Sequence, residues 1–224
     1  MAVAAVALAA GRVAMVAGAT GLVGREVLAA LLTDSRTTAV LTLGRRPPAE
    51  THPKLQALTV DFARLPDLPR VDDAYIALGT TIKVAGSQQA FRAVDFDAVL
   101  AAAKAARAAG ATRLGVVSAM GADADSRIFY NRVKGEMEQA LAGLGFDTLV
   151  IARPSLLDGD RAALNQPVRL GERVGTAVMG ALKPLIPKNY RAIKASEVAR
   201  SLLAAVAQGK PGRRVMLSGE MQPA

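Results

Sequence analysis

The chain has 224 residues, room for one α/β domain with a sizeable core and too little for two ordinary domains. It contains no cysteine, which excludes disulfides, thiolate metal sites and cysteine nucleophiles and makes a cytoplasmic location the default expectation. The net charge of +9 is concentrated at the end, where residues 151–224 carry 12 Lys/Arg against 5 Asp/Glu; this suits either a solvated basic surface or attraction of an anionic small molecule, and no nucleic-acid motif accompanies it.

Residues 1–11 are apolar but lack the basic start of a signal peptide, so they read as an N-terminal extension. No apolar run reaches the roughly 18 residues of a spanning helix, and no membrane partner is expected. Val13 to Ala17 form an apolar run of the buried parallel-strand kind, and Arg25 to Leu32 follow with Val27, Leu28, Leu31 and Leu32 at helical spacing. Between them lies Gly18-Ala19-Thr20-Gly21-Leu22-Val23-Gly24. A glycine-lined turn between strand and helix lets a pyrophosphate approach backbone amides at the positive end of the helix dipole. The spacing is G-x-x-G-x-x-G rather than the commoner G-x-G-x-x-G; the flanking strand and helix carry the dinucleotide reading.

Ala39 to Leu43 read as the second strand, ending at Gly44-Arg45-Arg46. At this place an acid suits the ribose hydroxyls of NAD, whereas arginine suits the 2′-phosphate of NADP. Arg45 and Arg46 therefore favour NADP(H) over NAD(H), the alternative being two solvated loop arginines. Leu55 to Val60 give a third strand ending at Asp61-Phe62, where Asp61 either meets an adenine amino group or serves as a turn residue. The fourth strand, Asp73 to Leu78, runs into Gly79-Thr80-Thr81, and the carboxyl ends of such strands border the cofactor crevice.

A helix is predicted over Phe91 to Ala109, with Phe91, Val94 and Ala98 on one side, and Gly110 as its stop. Leu114 to Ser118 form the fifth strand; a serine at a strand end often only caps a turn. Phe129 to Leu141 form a helix that sets Tyr130 and Lys134 one turn apart. A nearby ammonium favours phenolate and so draws a tyrosine toward acid/base work at neutral pH, although Tyr-x-x-x-Lys also arises as an ordinary surface pair. Thr148 to Ala152 form the sixth strand, broken by Arg153-Pro154-Ser155. Residues 155–195 lose periodicity around a helical piece at Val174 to Leu182 and read as a substrate cap. A helix from Ser196 to Ala207, capped by Ser196, and a strand from Arg213 to Leu217 close the chain. There is no metal-ligand cluster, and the single histidine, His52, sits in a loop.

Gly18 to Gly24, Ser118 and, twelve residues later, Tyr130 with Lys134 occur in an order that resembles the short-chain dehydrogenase/reductase superfamily. More narrowly, Gly44-Arg45-Arg46, Leu78-Gly79-Thr80-Thr81, Val117 to Ala122, Val133 to Glu136 and Arg153-Pro154 resemble its atypical NAD(P)-binding members related to the Tat-interacting protein 30 oxidoreductase. The resemblance implies a single Rossmann-type domain over residues 1–224: a doubly wound, mostly parallel sheet with helices on both faces and a small C-terminal cap. It implies that Ser118 binds the substrate carbonyl, that Tyr130 donates or accepts the proton, and that Lys134 lowers the tyrosine pKa and holds the nicotinamide ribose. It places the cofactor along Gly18, Thr20, Gly21, Leu22, Val23, Gly24, Arg45, Arg46, Asp61, Phe62, Leu78, Gly79, Thr80 and Thr81, with the nicotinamide near Pro154, Ser155 and Leu156. The expected activity is NAD(P)H-dependent interconversion of a small carbonyl and its alcohol; the alternative is a non-catalytic NADP(H)-binding regulatory or redox-sensing protein. One departure stands out: where the superfamily often has an asparagine that steadies a proton-relay water, this chain has Val94-Asp95. No sequence feature specifies an oligomeric state.

Overall fold

The structure is a computed structural model that describes residues 11–158 and 187–223. The expected extension, apart from Gly11, and most of the expected cap, including its helical piece, lie outside the described residues.

Seven parallel strands form one sheet in the order β3-β2-β1-β4-β5-β6-β9. They are β1 (Arg12–Ala17), β2 (Thr37–Gly44), β3 (Leu55–Thr59), β4 (Asp73–Ile76), β5 (Arg113–Val117), β6 (Thr148–Arg153) and β9 (Gly212–Leu217). A short parallel pair, β7 (Leu157–Asp158) with β8 (Ile193–Lys194), stands apart from it. The strand order reverses between β1 and β4, the switch point at which a doubly wound fold opens its crevice. The expected α/β architecture is therefore the observed one.

Helices cover both faces because parallel strands cannot leave a face to water. Helix α1 (Leu22–Thr33) buries Val27, Leu28, Leu31 and Leu32 against one face, together with the helix Ala195–Gln208, which buries Val198, Leu202 and Val206. Gly115 in β5 admits the latter closely: a Cβ there would stand 2.9 Å from Val206 Cγ2. The expected cap at Ser196 is corrected, since Lys194 holds the cap position and Glu197 Oε2 accepts its backbone N–H at 3.3 Å.

On the other face, helices α4 (Val99–Ala108) and α5 (Phe129–Ala142) pack Val99, Ala102, Ala106, Met137 and Leu141 on the sheet. The predicted helix over Phe91 to Ala109 is a composite of the end of a short helix, α3 (Gln88–Arg92), a π-helical stretch Ala93–Ala98 and α4, with another short helix, α2 (Ile82–Ala85), before it. The wider π turn changes which residue faces inward: Asp95 is buried, whereas Val94, expected on the packed side, is only partly so. Helix Ala195–Gln208 is α6, and Ser218–Met221 forms a last short helix, α7.

Gly135 lets the loop after β5 lie directly on α5. A Cβ at that position would come within 2.1 Å of Ala124 N and 2.2 Å of Asp123 C, both backbone atoms. Gly135→Ala is accordingly expected to cost at least about 1–3 kcal/mol despite alanine's better helix propensity, seen as a lower urea midpoint at unchanged slope.

Candidate functional site

The turn between β1 and α1 is built by its glycines. Gly18 adopts φ +87° and lies so close to the end of β4 that a Cβ would meet the Ala77 carbonyl oxygen at 2.7 Å. At Gly24 a Cβ would stand 2.0 Å from the Gly18 oxygen, so strand and helix close up only without a side chain. Gly21 caps α1 in extended conformation and supplies no side-chain acceptor, which leaves the amides of Leu22, Val23 and Gly24 uncapped at the positive end of the dipole. These residues fit a dinucleotide pyrophosphate. Thr20 is exposed beside them, while Val23 is buried in the core and offers only its backbone.

Around that turn the structure sorts the other cofactor candidates. Arg45 and Arg46 are exposed just beyond β2, with no ion-pair partner among the described residues. Asp61 acts as a turn residue, its Oδ1 accepting the Ala63 N–H at 3.0 Å, and Phe62 packs against the core. Leu78 also packs there, and Gly79 is exposed beyond β4. The Thr80 N–H donates to Asp95 Oδ2 at 2.9 Å, and Thr81 caps α2 by accepting the Val84 N–H at 3.2 Å.

Three titratable side chains stand at successive turns of α5. Tyr130 packs its ring on Phe91, with centroids 5.3 Å apart. One turn on, the buried Lys134 pairs with the buried Asp95 at 2.7 Å. A turn later the buried Glu138 collects two groups: Ser118 Oγ donates to its Oε1 at 2.5 Å, and Arg153 donates through Nε to Oε1 at 3.0 Å and through Nη2 to Oε2 at 2.6 Å. Helix α5 thus joins β5, β6 and the π turn at the carboxyl end of the sheet.

This arrangement corrects two expectations. The Tyr130 hydroxyl is pushed above the ordinary tyrosine range, not drawn below it: burial dominates, Lys134 pulls down, and Asp95 pushes back up. An ammonium already neutralised by a carboxylate has little field left to stabilise a phenolate. Ser118 likewise directs its hydroxyl proton to Glu138 rather than outward. Glu138 was missed in the sequence, although its spacing of four from Lys134 puts it on the same helix face.

Beyond β6, Pro154 is buried and its carbonyl accepts the Met120 N–H at 3.0 Å, which ties the loop after β5 to the strand end. Ser155 turns away from any cofactor: its hydroxyl donates to the Arg191 carbonyl and lies 2.9 Å from Ser218 Oγ. Leu156 is 56 % exposed. Of the three residues expected near the nicotinamide, Ser155 is thus structural in its side chain. Among the described residues no group of acids and histidines could hold a metal ion.

A doubly wound parallel sheet with an uncapped, glycine-lined turn at its switch point defines a dinucleotide-binding protein of the short-chain dehydrogenase/reductase type. A family model described as NAD(P)H-binding matches residues 18–209, and the chain belongs to that family. It is 37 % identical over 175 residues to "Protein fmp52, mitochondrial" of Emericella nidulans, covering 74 % of this chain and 73 % of that protein. It is 33 % identical over 193 residues to "Protein HTATIP2" of Rattus norvegicus, covering 83 % and 77 %. Among solved structures it is similar to a UDP-N-acetylglucosamine 4-epimerase from Methanobrevibacter ruminantium (TM-score 0.70, 14 % identity, 93 % of this chain and 77 % of that one). The Bordetella bronchiseptica enzyme WbmF in complex with NAD+ matches with TM-score 0.63 and 19 % identity, over 95 % and 76 %. These structural likenesses support the fold, and the family places the chain among NAD(P)-binding oxidoreductase-like proteins. The cytoplasmic expectation is overturned by relatives named as mitochondrial. A cysteine count reports on redox chemistry, not on address.

Proposed function

We propose that the protein is an NADPH-dependent reductase of a small carbonyl compound, working through Tyr130, Lys134 and Ser118. The observation that carries this reading is the ladder on α5, which brings Tyr130, Lys134 and the Ser118 partner Glu138 to one helix face at the carboxyl end of the sheet. The turn Gly18 to Gly24 would hold the pyrophosphate on the amides of Leu22, Val23 and Gly24, with Arg45 and Arg46 on the 2′-phosphate. Thr80 and Lys134 would face the ribose end, and Pro154 to Leu156 would border the nicotinamide. Bound NADPH supplies the hydride that reduces the carbonyl carbon.

The protein's own contribution is proton handling. Tyr130, held protonated by its burial, is a donor to the oxygen of the reduced carbonyl. Glu138 fixes Ser118 so that its oxygen lone pairs remain for a hydroxyl, and rotation about its Cβ–Oγ bond would turn the proton to a carbonyl instead. Arg153, locked on the same carboxylate, offsets the charge of Glu138 and holds it in place for Ser118. The test is NADPH consumption across a panel of aldehydes, ketones and keto acids, followed by product analysis.

A second reading rests on a specific observation: Lys134 and Ser118 are both internally paired, as in a module that binds NADP(H) and reports its redox state without turnover. That module would bind NADPH tightly, reduce no member of the panel, and differ in proteolysis between NADP+ and NADPH. For the cofactor, Arg45→Ala with Arg46→Ala is expected to lower the preference for NADPH over NADH by about tenfold or more, measured as a ratio of dissociation constants. An unchanged ratio removes both arginines from the phosphate site.

A further inference from the structure

A cleft of about 800 Å³ opens at the end of the sheet opposite the glycine turn, over the amino ends of β1, β4 and β5 and between α1 and α6. Its volume is in the range that holds a small organic ligand. Apolar side chains of both helices line it, among them Leu31, Leu203 and Ala204.

Its floor carries a phenol. Tyr75 in β4 is only 4 % exposed, packs in the core layer between α1 and α6 and lines the cleft, yet its hydroxyl has no hydrogen-bond partner among the described residues. The ring is buried while the hydroxyl reaches the cleft, where it can donate to a ligand as it does to water. Burial also holds this hydroxyl protonated, as a donor, far into the alkaline range.

Charge around it is unbalanced. Arg12 is taken by Asp73, Arg36 by Asp34 at 2.8 Å, and the lining acid Glu26 by Arg25 at 3.4 Å. Two further lining guanidiniums, Arg113 and Arg200, have no carboxylate partner among the described residues; Arg113 makes only a long contact of 3.5 Å to the Ala207 carbonyl. Two unpaired guanidiniums and a phenol donor beside apolar helix walls match one chemistry, an anionic head on an aliphatic body.

We propose that this cleft is a second ligand site, separate from the cofactor crevice, that takes a medium-chain carboxylate. The carboxylate sits between Arg113 and Arg200 and receives the Tyr75 hydroxyl, and the chain lies along Leu31 and Leu203. Because the site is at the far end of the sheet, it is independent of the reaction proposed above.

Isothermal titration of the full chain with decanoate tests it, with decylamine and inorganic phosphate as comparison ligands. The expected result is one saturable decanoate site, weakened about tenfold or more by Arg200→Ala and about 2- to 10-fold by Tyr75→Phe, with NADPH affinity unchanged in both. Arg200 is exposed and Tyr75→Phe removes no hydrogen bond within the protein, so neither replacement threatens the fold. Ala204→Trp, on an exposed position of the wall, should abolish binding by filling the cleft. The proposal is overturned by absence of saturable decanoate binding, by decylamine or phosphate binding as tightly as decanoate, or by an Ala204→Trp variant that binds as before.

Discussion

Tyr130→Phe is expected to lower carbonyl turnover by about 100- to 10,000-fold while NADPH affinity stays within about twofold. The phenyl ring keeps its packing on Phe91, 5.3 Å away, so only the hydroxyl is lost. The pH dependence follows from the direction of the shift. A proton-donating Tyr130 must be protonated, and burial together with Asp95 raises its pKa above the ordinary value near 10. The reductive kcat/KM should therefore hold level through neutral pH and fall only in the alkaline range, and in the Phe variant the residual rate should lose that fall. Alcohol oxidation, which needs the phenolate, should rise over the same range. Retained turnover in the variant, or reduction that declines already near neutral pH, would falsify the assignment of the proton to Tyr130.

Much of this site was legible because its pieces are local. Val13 to Ala17 and Leu114 to Val117 are apolar and β-branched enough to declare themselves as buried strands, and the glycines mark the turn by what their missing side chains permit. The i,i+4 spacing of Tyr130 and Lys134 needed only a correct helix. What failed was what depends on contacts between distant segments. Asp95 is noticeable as an acid where the superfamily often has asparagine, but its pairing with Lys134 requires the π turn, and nothing in Ala93 to Ala98 announces an extra residue per turn. The expected downward shift of Tyr130 left Asp95 and the burial of the ring out of account, and these reverse its sign. Glu138 was overlooked because a glutamate on an amphipathic helix reads as a solvated face; it is buried because Arg153 and Ser118 arrive from β6 and the end of β5. Ser155 looked like a crevice residue until Arg191, just before β8, and Ser218 of α7 came back beside it, which no local pattern foretells.

Lys134→Met is expected to cost about 3–5 kcal/mol in stability, more than a surface lysine could, because it strands a buried carboxylate. Asp95 is 1 % exposed and would keep only the Thr80 N–H, donated at 2.9 Å, in place of an ammonium at 2.7 Å. Asp95→Asn separates the charge from the hydrogen bond: its amide oxygen still accepts from Thr80, yet Lys134, 3 % exposed, loses its counter-ion. Breaking either end of such a pair costs far more than the pair itself contributes, since ion desolvation offsets most of the attraction. The double variant Asp95→Asn/Lys134→Met, which buries no charge, should therefore lose less than the sum of the two single losses, with a coupling of about 0.5–3 kcal/mol in urea denaturation. Strict additivity would mean that the two charges do not depend on one another. The same variants separate fold from function: Lys134→Met should also weaken NADPH binding if the ammonium reaches the ribose, whereas Asp95→Asn leaves that ammonium present. Asp95→Asn also removes the carboxylate that opposes the tyrosinate, so where Lys134 stays charged in that variant the alkaline limit set by Tyr130 should move to lower pH. The buried carboxylate that reversed the expected sign is thus also the residue through which the acidity of Tyr130 can be reset.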